Sequence, residues 1–200
     1  MSDAAPPPRA LASAPRRGLA TLGALLAGAG GVFGFAPFGW FPLLWLSLAI
    51  CYGLLCRAKD GGQRAAHGAW LAGSHAFGLF LAGVSWIYVS LSVFGGMPLP
   101  LAGLATLLFC ALLASVALPF GALFVSLAPA QWLARGLFFA ALFTLTEWAR
   151  SWLFTGFPWL AVGYSQSPPS PLAGFAPLFG VYGLSFLSAW LAALMFEIAR

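Results

Sequence analysis

Long apolar runs separated by short polar links fill the chain from about residue 19 to its last residues. Six runs have lengths typical of helices in or near a bilayer. They cover about residues 19–35, 43–56, 66–90, 99–127, 137–153 and 176–198. This pattern predicts an all-α integral membrane protein, a bundle of about six transmembrane helices within residues 19–200. Residues 1–18 are predicted to form a cytoplasmic tail.

Three of the runs raise questions of length or regularity. A helix needs about 20 residues to cross the hydrocarbon core, and the first two runs are shorter than that. The pair either spans with little tilt or is partly re-entrant, and the sequence leaves both alternatives open. In the fourth run, Pro119 predicts a kink because proline lacks the amide that a helix interior needs.

Composition and charge agree with a membrane location. Hydrophobic residues make up 62% of the chain and charged residues only 6%, whereas soluble domains carry about 25% charged residues. The nine basic residues lie in small groups between apolar runs, which is typical of topology signals and not of nucleic-acid binding. All but Arg150 fall on the side of the N-terminus, which predicts a cytoplasmic N-terminus. Three aromatic loops, at residues 36–40, 94–98 and 154–171, would then face the periplasm.

The most unusual segment covers residues 154–166. It is apolar and aromatic, yet Gly156, Pro158 and Gly163 disfavour a regular helix. Irregular backbone at a membrane boundary must pack in protein or contact water, because hydrocarbon cannot satisfy its amides. The segment is therefore either a simple connector or a functional surface, since loops often carry function.

Glu147 and Arg150 are the charged residues of the fifth run. They are three positions apart and so share one helix face. A lone carboxylate in a span costs on the order of 3 kcal/mol, which favours a partner. We predict a structural ion pair between them; the alternative is a polar site beneath a lipid or peptide headgroup.

No metal or cofactor site is predicted. His67 and His75 lie eight positions apart with no other histidine in the chain, so packing or hydrogen bonding is favoured over metal binding. Cysteine residues lie within apolar runs and lack metal-binding or redox spacing; they are Cys51, Cys56 and Cys110.

Several segments, in order, resemble the membrane half of bacterial apolipoprotein N-acyltransferases. They are Phe35–Trp40, Ser85–Ser90 with Phe94–Pro98, Thr146–Arg150, Thr155–Leu160 with Gly163–Gln166, and Gly174–Val181. The resemblance implies an inner-membrane acyltransferase of lipoprotein biosynthesis. Such an enzyme takes a fatty acyl group from a phospholipid and transfers it to the N-terminal diacylglyceryl-cysteine of an apolipoprotein.

The family pattern also implies parts that this chain lacks. Its Glu–Lys–Cys triad lies on a nitrilase-like domain that follows the seventh span, and this chain ends after the sixth run. The resemblance thus implies no catalytic residue here and a fragment inactive alone, or one that assembles with a separate nitrilase-like half. Its partners would be the phospholipid donor, the apolipoprotein and membrane lipid.

Trp159 matches the tryptophan of the family's Thr-Gly-Phe-Pro-Trp motif and is the first candidate for contact with acyl chains or active-site loops. Further candidate contacts are Phe157, Pro158, Tyr164, Gln166, Trp86 and Tyr88. The alternative for all of them is interfacial anchoring, which explains aromatic residues at such depths without a substrate. The rival function is a small non-catalytic membrane carrier, or a scaffold that binds lipid or a partner helix.

Overall fold

The computed structural model describes residues 14–200, with side chains from residue 17. Helices form this part of the chain, which contains no strand, so the all-α prediction is confirmed. The helices are α1 (Ala14–Gly31), α2 (Phe41–Asp60), α3 (Ala65–Gly83), α4 (Trp86–Val89), α5 (Leu99–Ser115), α6 (Leu118–Leu127), α7 (Trp132–Arg150) and α8 (Ala176–Ala199). Most of the predicted cytoplasmic tail lies outside the described residues, and α1 already begins at Ala14.

Two predicted runs are broken into helix pairs. After α3 the chain bends by 48° and continues as α4 and a π-helical turn, Ser90–Phe94. The fourth run breaks between α5 and α6, and Pro119 lies in the first turn of α6. Proline is tolerated there because its missing amide needs no partner, so the predicted irregularity lies just before it.

Four segments of the described chain are long and apolar enough to cross a membrane. They are Arg17–Gly34, Phe41–Asp60, Leu99–Leu127 and Ala173–Ala199, and the bent α3–α4 pair is a fifth if it counts as one span. Helix α7 has 19 residues but contains Arg135 and Glu147 and is outside this group. The second run is longer than predicted, since α2 continues through Arg57 and Lys59 to Asp60.

Glycines allow α1 and α3 to pack with their backbones in contact. A Cβ atom at Gly78 would overlap the carbonyl of Leu25, and one at Gly28 would overlap the carbonyl of His75. The same occurs between α3 and α6, where Gly68 and Gly121 face each other. Close approach of this kind increases van der Waals contact, which drives helix association in membranes.

We expect Gly28→Ala to destabilise the protein by about 1–3 kcal/mol, because α1 and α3 must separate to admit the methyl group. Gly23→Ala is the matched control on the same helix, since a Cβ atom there meets nothing within 4 Å. Thermal unfolding of both variants in the same detergent measures the difference. Equal stability of the two variants would contradict the close α1–α3 contact.

The core contains an aromatic cluster around Tyr52. Its fully buried ring packs edge-on against Phe124, Phe139 and Phe196, with centroid distances of 5.9, 5.1 and 5.6 Å. Its hydroxyl donates to Oε1 of Glu197 at 2.7 Å. The contacts join α2 to α6, α7 and α8.

Ion pairs connect three helices at one end of the bundle. Helices α2 and α8 end there, and α7 begins there. Asp60 pairs with Arg135 at 3.0 Å and with Arg200 at 3.5 Å. Helix α7 finishes and α8 starts at the opposite end, beside the segment that connects them.

Candidate functional site

The segment between α7 and α8, residues 151–175, is called here the aromatic loop. It contains three short 3₁₀ turns, Leu153–Thr155, Val162–Ser165 and Ala173–Phe175. Phe154, Thr155 and Gly156 have φ angles of 51°, 76° and 85°, so three successive left-handed residues reverse the chain over the end of α7. A Cβ atom at Gly156 would overlap the Ser151 carbonyl, so glycine is required there.

Arg150, the last residue of α7, binds the backbone of the first half of the loop. Its Nη1 atom donates to the carbonyl of Phe157 and, at 2.7 Å, to the carbonyl of Trp159. The guanidinium lies over the ring of Phe80, 5.0 Å from the centroid, and the residue is only 5% exposed. One buried cation therefore holds two carbonyls of the loop and contacts α3.

Glu147 fixes the second half of the loop. Its Oε1 atom accepts a hydrogen bond from the amide of Val162 at 2.8 Å. The next amide, that of Gly163, donates to Oγ of Ser185 on α8 at 2.9 Å. The 3₁₀ turn that begins at Val162 is thereby held to both α7 and α8.

The structural ion pair predicted between Glu147 and Arg150 is not among the salt bridges of the described residues. Glu147 and Arg150 share a helix face as expected, but each binds backbone groups of the aromatic loop instead. Backbone amides and carbonyls in a dry site need partners, and charged groups supply strong ones. Each of the two residues thus binds a different part of the same loop.

A small cavity of about 40 Å³ lies between α3, α6 and α7. Its lining includes Glu147, Arg150 and Thr146, and Glu147 Oε2 has no hydrogen-bond partner among the described residues. The space suits a few water molecules and is far below the ~300 Å³ of a small-molecule site. The candidate contact area at this end of the protein is therefore the outer surface of the aromatic loop and its neighbours.

That surface is aromatic. The ring of Trp159 lies 5.8 Å from the ring of Trp86 on α4 and 6.5 Å from that of Phe157. Phe157 also packs edge-on against Phe109 of α5 at 5.1 Å. We call Trp86, Phe157 and Trp159 the tryptophan surface; Trp86 and Trp159 remain 46% and 50% exposed.

The other candidate contacts do not all lie on this surface. Pro158 is exposed beside Trp159, while Tyr88 and Tyr164 are exposed on α4 and on the Val162–Ser165 turn. Gln166 is only 3% exposed; its Nε2 donates to Ser165 and its Oε1 accepts from Ser170. Gln166 therefore stabilises the loop internally instead of presenting its amide to a ligand.

Three supporting residues were missed by the sequence reasoning. Phe80 and Phe109 lie in apolar runs, where nothing distinguishes them from other core phenylalanines. Ser185 also lies in such a run, and an isolated hydroxyl there gives only a weak signal that a backbone amide needs a partner.

His75 and the three cysteines lie in the interior of the bundle. Buried His75 lies 2.9 Å from the hydroxyl of Ser47, which is the hydrogen bonding that the sequence favoured. No cluster of metal-binding side chains occurs in the described part of the chain. All three cysteines are buried.

Comparisons with known proteins give a consistent result. A sequence model described as the apolipoprotein N-acyltransferase N-terminal domain matches residues 27–194. The apolipoprotein N-acyltransferase of Nitrosomonas europaea is 48% identical over 184 residues, covering 86% of this chain and 34% of that protein. Those of Coxiella burnetii and Haemophilus influenzae are 45% and 41% identical, covering 86% and 88% of this chain and 35% and 32% of the relatives. The chain thus spans about one third of the length of these relatives.

Proposed function

Because the chain belongs to the apolipoprotein N-acyltransferase family, whose N-terminal domain matches residues 27–194, we propose that it forms the membrane part of such an enzyme. The complete enzyme would transfer a fatty acyl group from a phospholipid to the N-terminal diacylglyceryl-cysteine of an apolipoprotein. It would act in the bacterial inner membrane, during lipoprotein maturation.

The chemistry proceeds in two steps that share one nucleophile. A cysteine thiolate attacks the ester carbonyl of the phospholipid and forms a thioester; the ester C–O bond breaks, and the alkoxide takes a proton from a general acid of the catalytic domain and leaves as a lysophospholipid. The free amine of the apolipoprotein then attacks the thioester, forms the amide, loses a proton and releases the thiolate. The family resemblance implies that this thiolate belongs to a nitrilase-like domain, in the same polypeptide or a separate one; the three cysteines of this chain, Cys51, Cys56 and Cys110, are buried.

The tryptophan surface is the observation that supports a role in substrate contact. Its two tryptophans are about half exposed, and a buried cation holds the backbone of Phe157 and Trp159 through their carbonyls. A rigid aromatic area suits acyl chains or the loops of a catalytic domain, since little conformational entropy is lost on binding. We propose Trp159 as the central contact, with Trp86, Tyr88, Phe157, Pro158 and Tyr164 around it.

The proposed orientation places the N-terminus in the cytoplasm and the aromatic loop at the periplasmic face. The Asp60 ion pairs support it, because they gather the basic ends of α2, α7 and α8 together. Arg17 joins the same end through a 3.3 Å hydrogen bond to Gln63. Arg150 alone of the described basic residues lies at the loop end, which fits the positive-inside rule.

A chimera tests the proposal. Residues 27–194 would replace the matching segment of the Nitrosomonas europaea enzyme, and N-acylation of a diacylglyceryl lipopeptide would be followed by mass spectrometry. We expect activity within about tenfold of the parent, because the bundle would present the same surface to the catalytic domain. The control carries an unrelated multi-span bundle at the same position and should be inactive.

The chimera also separates the acyltransferase from its rival. A folded, membrane-inserted chimera without activity would overturn the proposed function and favour a carrier or scaffold. Parent-like activity with the unrelated bundle would show that the segment serves only as a generic membrane anchor.

A further inference from the structure

A wide groove lies at the basic end of the bundle, between the start of α1 and the link from α2 to α3. Its volume is about 1100 Å³, well above the ~300 Å³ at which small-molecule sites begin. Polar and aromatic residues line much of it: Arg17, Thr21, Gln63, Arg64, His67 and Trp70. The groove lies at the end opposite to the aromatic loop.

Hydrogen bonds between α1 and the facing segments fix the walls of the groove. Arg17 Nη2 donates to Oε1 of Gln63 at 3.3 Å, and Trp70 Nε1 donates to Oγ1 of Thr21 at 3.0 Å. The side chain of Arg17 is therefore directed towards the α2–α3 link, and the indole of Trp70 is held against α1.

The described residues that line the groove include two arginines and no carboxylate. Among the described residues, the carboxylate of Asp60 pairs with Arg135 and Arg200, and Glu197 binds Tyr52 and Arg200. Glu147 lies at the opposite end of the bundle. Within the described chain, no carboxylate forms a salt bridge with Arg17 or Arg64.

The start of α3 adds to this positive potential. Helix α3 begins at Ala65 without a side-chain cap on its first amides. Such amides and the helix dipole favour an anion, and Arg64 and His67, which line the groove, lie at this end of α3.

We propose that the groove binds the phosphate of an anionic phospholipid headgroup. Arg17 and Arg64 would pair with the phosphate oxygens, and Trp70 would lie along the glycerol and the upper acyl chains. A lipid is favoured over a soluble anion because the groove lies at the end of helices long and apolar enough to span a membrane and includes Trp70, whose side chain is 59% exposed. Basic pockets between membrane helices and interfacial tryptophans are typical of headgroup sites. The inference is independent of acyl transfer.

The test uses the full chain in nanodiscs of phosphatidylcholine with increasing fractions of phosphatidylglycerol. Binding of phosphatidylglycerol is measured by native mass spectrometry. Arg17→Gln and Arg64→Gln should each weaken binding about fivefold, and the double variant about 25-fold, as expected for two basic residues near a membrane surface. Arg57→Gln is the matched control, since Arg57 is exposed at the same end of the bundle but outside the groove.

Each outcome bears on the proposal. Equal loss in Arg57→Gln would indicate diffuse surface charge and overturn a defined site. Equal binding of both lipids would overturn the charge preference, and inorganic phosphate that blocks phosphatidylglycerol at constant ionic strength would indicate a soluble anion instead of a lipid. Thermal unfolding in nanodiscs of phosphatidylcholine alone shows whether each variant is folded. If Arg17→Gln is unfolded, the binding measured for the Arg64→Gln variant, whose substituted side chain is exposed, tests the proposal on its own.

Discussion

Replacing Arg150 by alanine should destabilise the protein by about 3–5 kcal/mol, because it removes two hydrogen bonds from a charged donor, each worth roughly 1.5–3 kcal/mol. The substitution leaves the Phe157 and Trp159 carbonyls without their donor and removes the cation that lies over Phe80. Chemical unfolding in detergent measures the change. Because these carbonyls belong to the aromatic loop, the loop should lose its order before the bundle unfolds.

Two further variants show whether the loss comes from these bonds. Arg150→Lys keeps the positive charge but replaces the planar guanidinium with a compact ammonium. The Lys variant should therefore retain only part of the stability that Arg150→Ala loses. Arg57→Ala removes an exposed arginine and should change the free energy of unfolding by no more than about 0.5 kcal/mol. If Arg150→Ala is as stable as Arg57→Ala, Arg150 does not hold the loop.

Much of the fold follows from the hydrophobic pattern because a bilayer demands long apolar helices. The helix ends follow less well, since they depend on contacts between distant residues. Arg135 reads as part of a polar link, yet it lies in the first turn of α7 and pairs with Asp60. The helix starts earlier than predicted, at Trp132, where the Gln131 side chain accepts from the Ala134 amide at 2.6 Å.

The candidate site depends even more on contacts between distant residues, which the sequence does not show. The sequence places Glu147 and Arg150 on one face, and spacing alone then favours a direct pair. It does not show that the chain returns over α7 with its amides and carbonyls beside these two side chains. Likewise, Trp86 and Trp159 were both candidate contacts, but their proximity depends on the 48° bend after α3.

Trp159→Ala in the complete enzyme should lower acyl transfer about tenfold to a hundredfold, because a misplaced substrate reacts that much more slowly. The same change should cost no more than about 1.5 kcal/mol of stability, since the ring is half exposed and its main aromatic partner is Trp86. Initial rates at several phospholipid concentrations give kcat and KM. Thermal unfolding of the same preparation gives the stability.

Trp152→Ala is the matched control. Trp152 lies on the same loop with 54% exposure, but it packs on Trp148 at 5.4 Å instead of on Trp86. Interfacial anchoring alone predicts equal effects of the two substitutions, because both indoles would serve the bilayer in the same way. A contact with substrate or with the catalytic domain predicts a large loss only at position 159, partly recovered by Trp159→Phe. Parallel losses of activity and stability in Trp159→Ala would instead assign this tryptophan to loop structure.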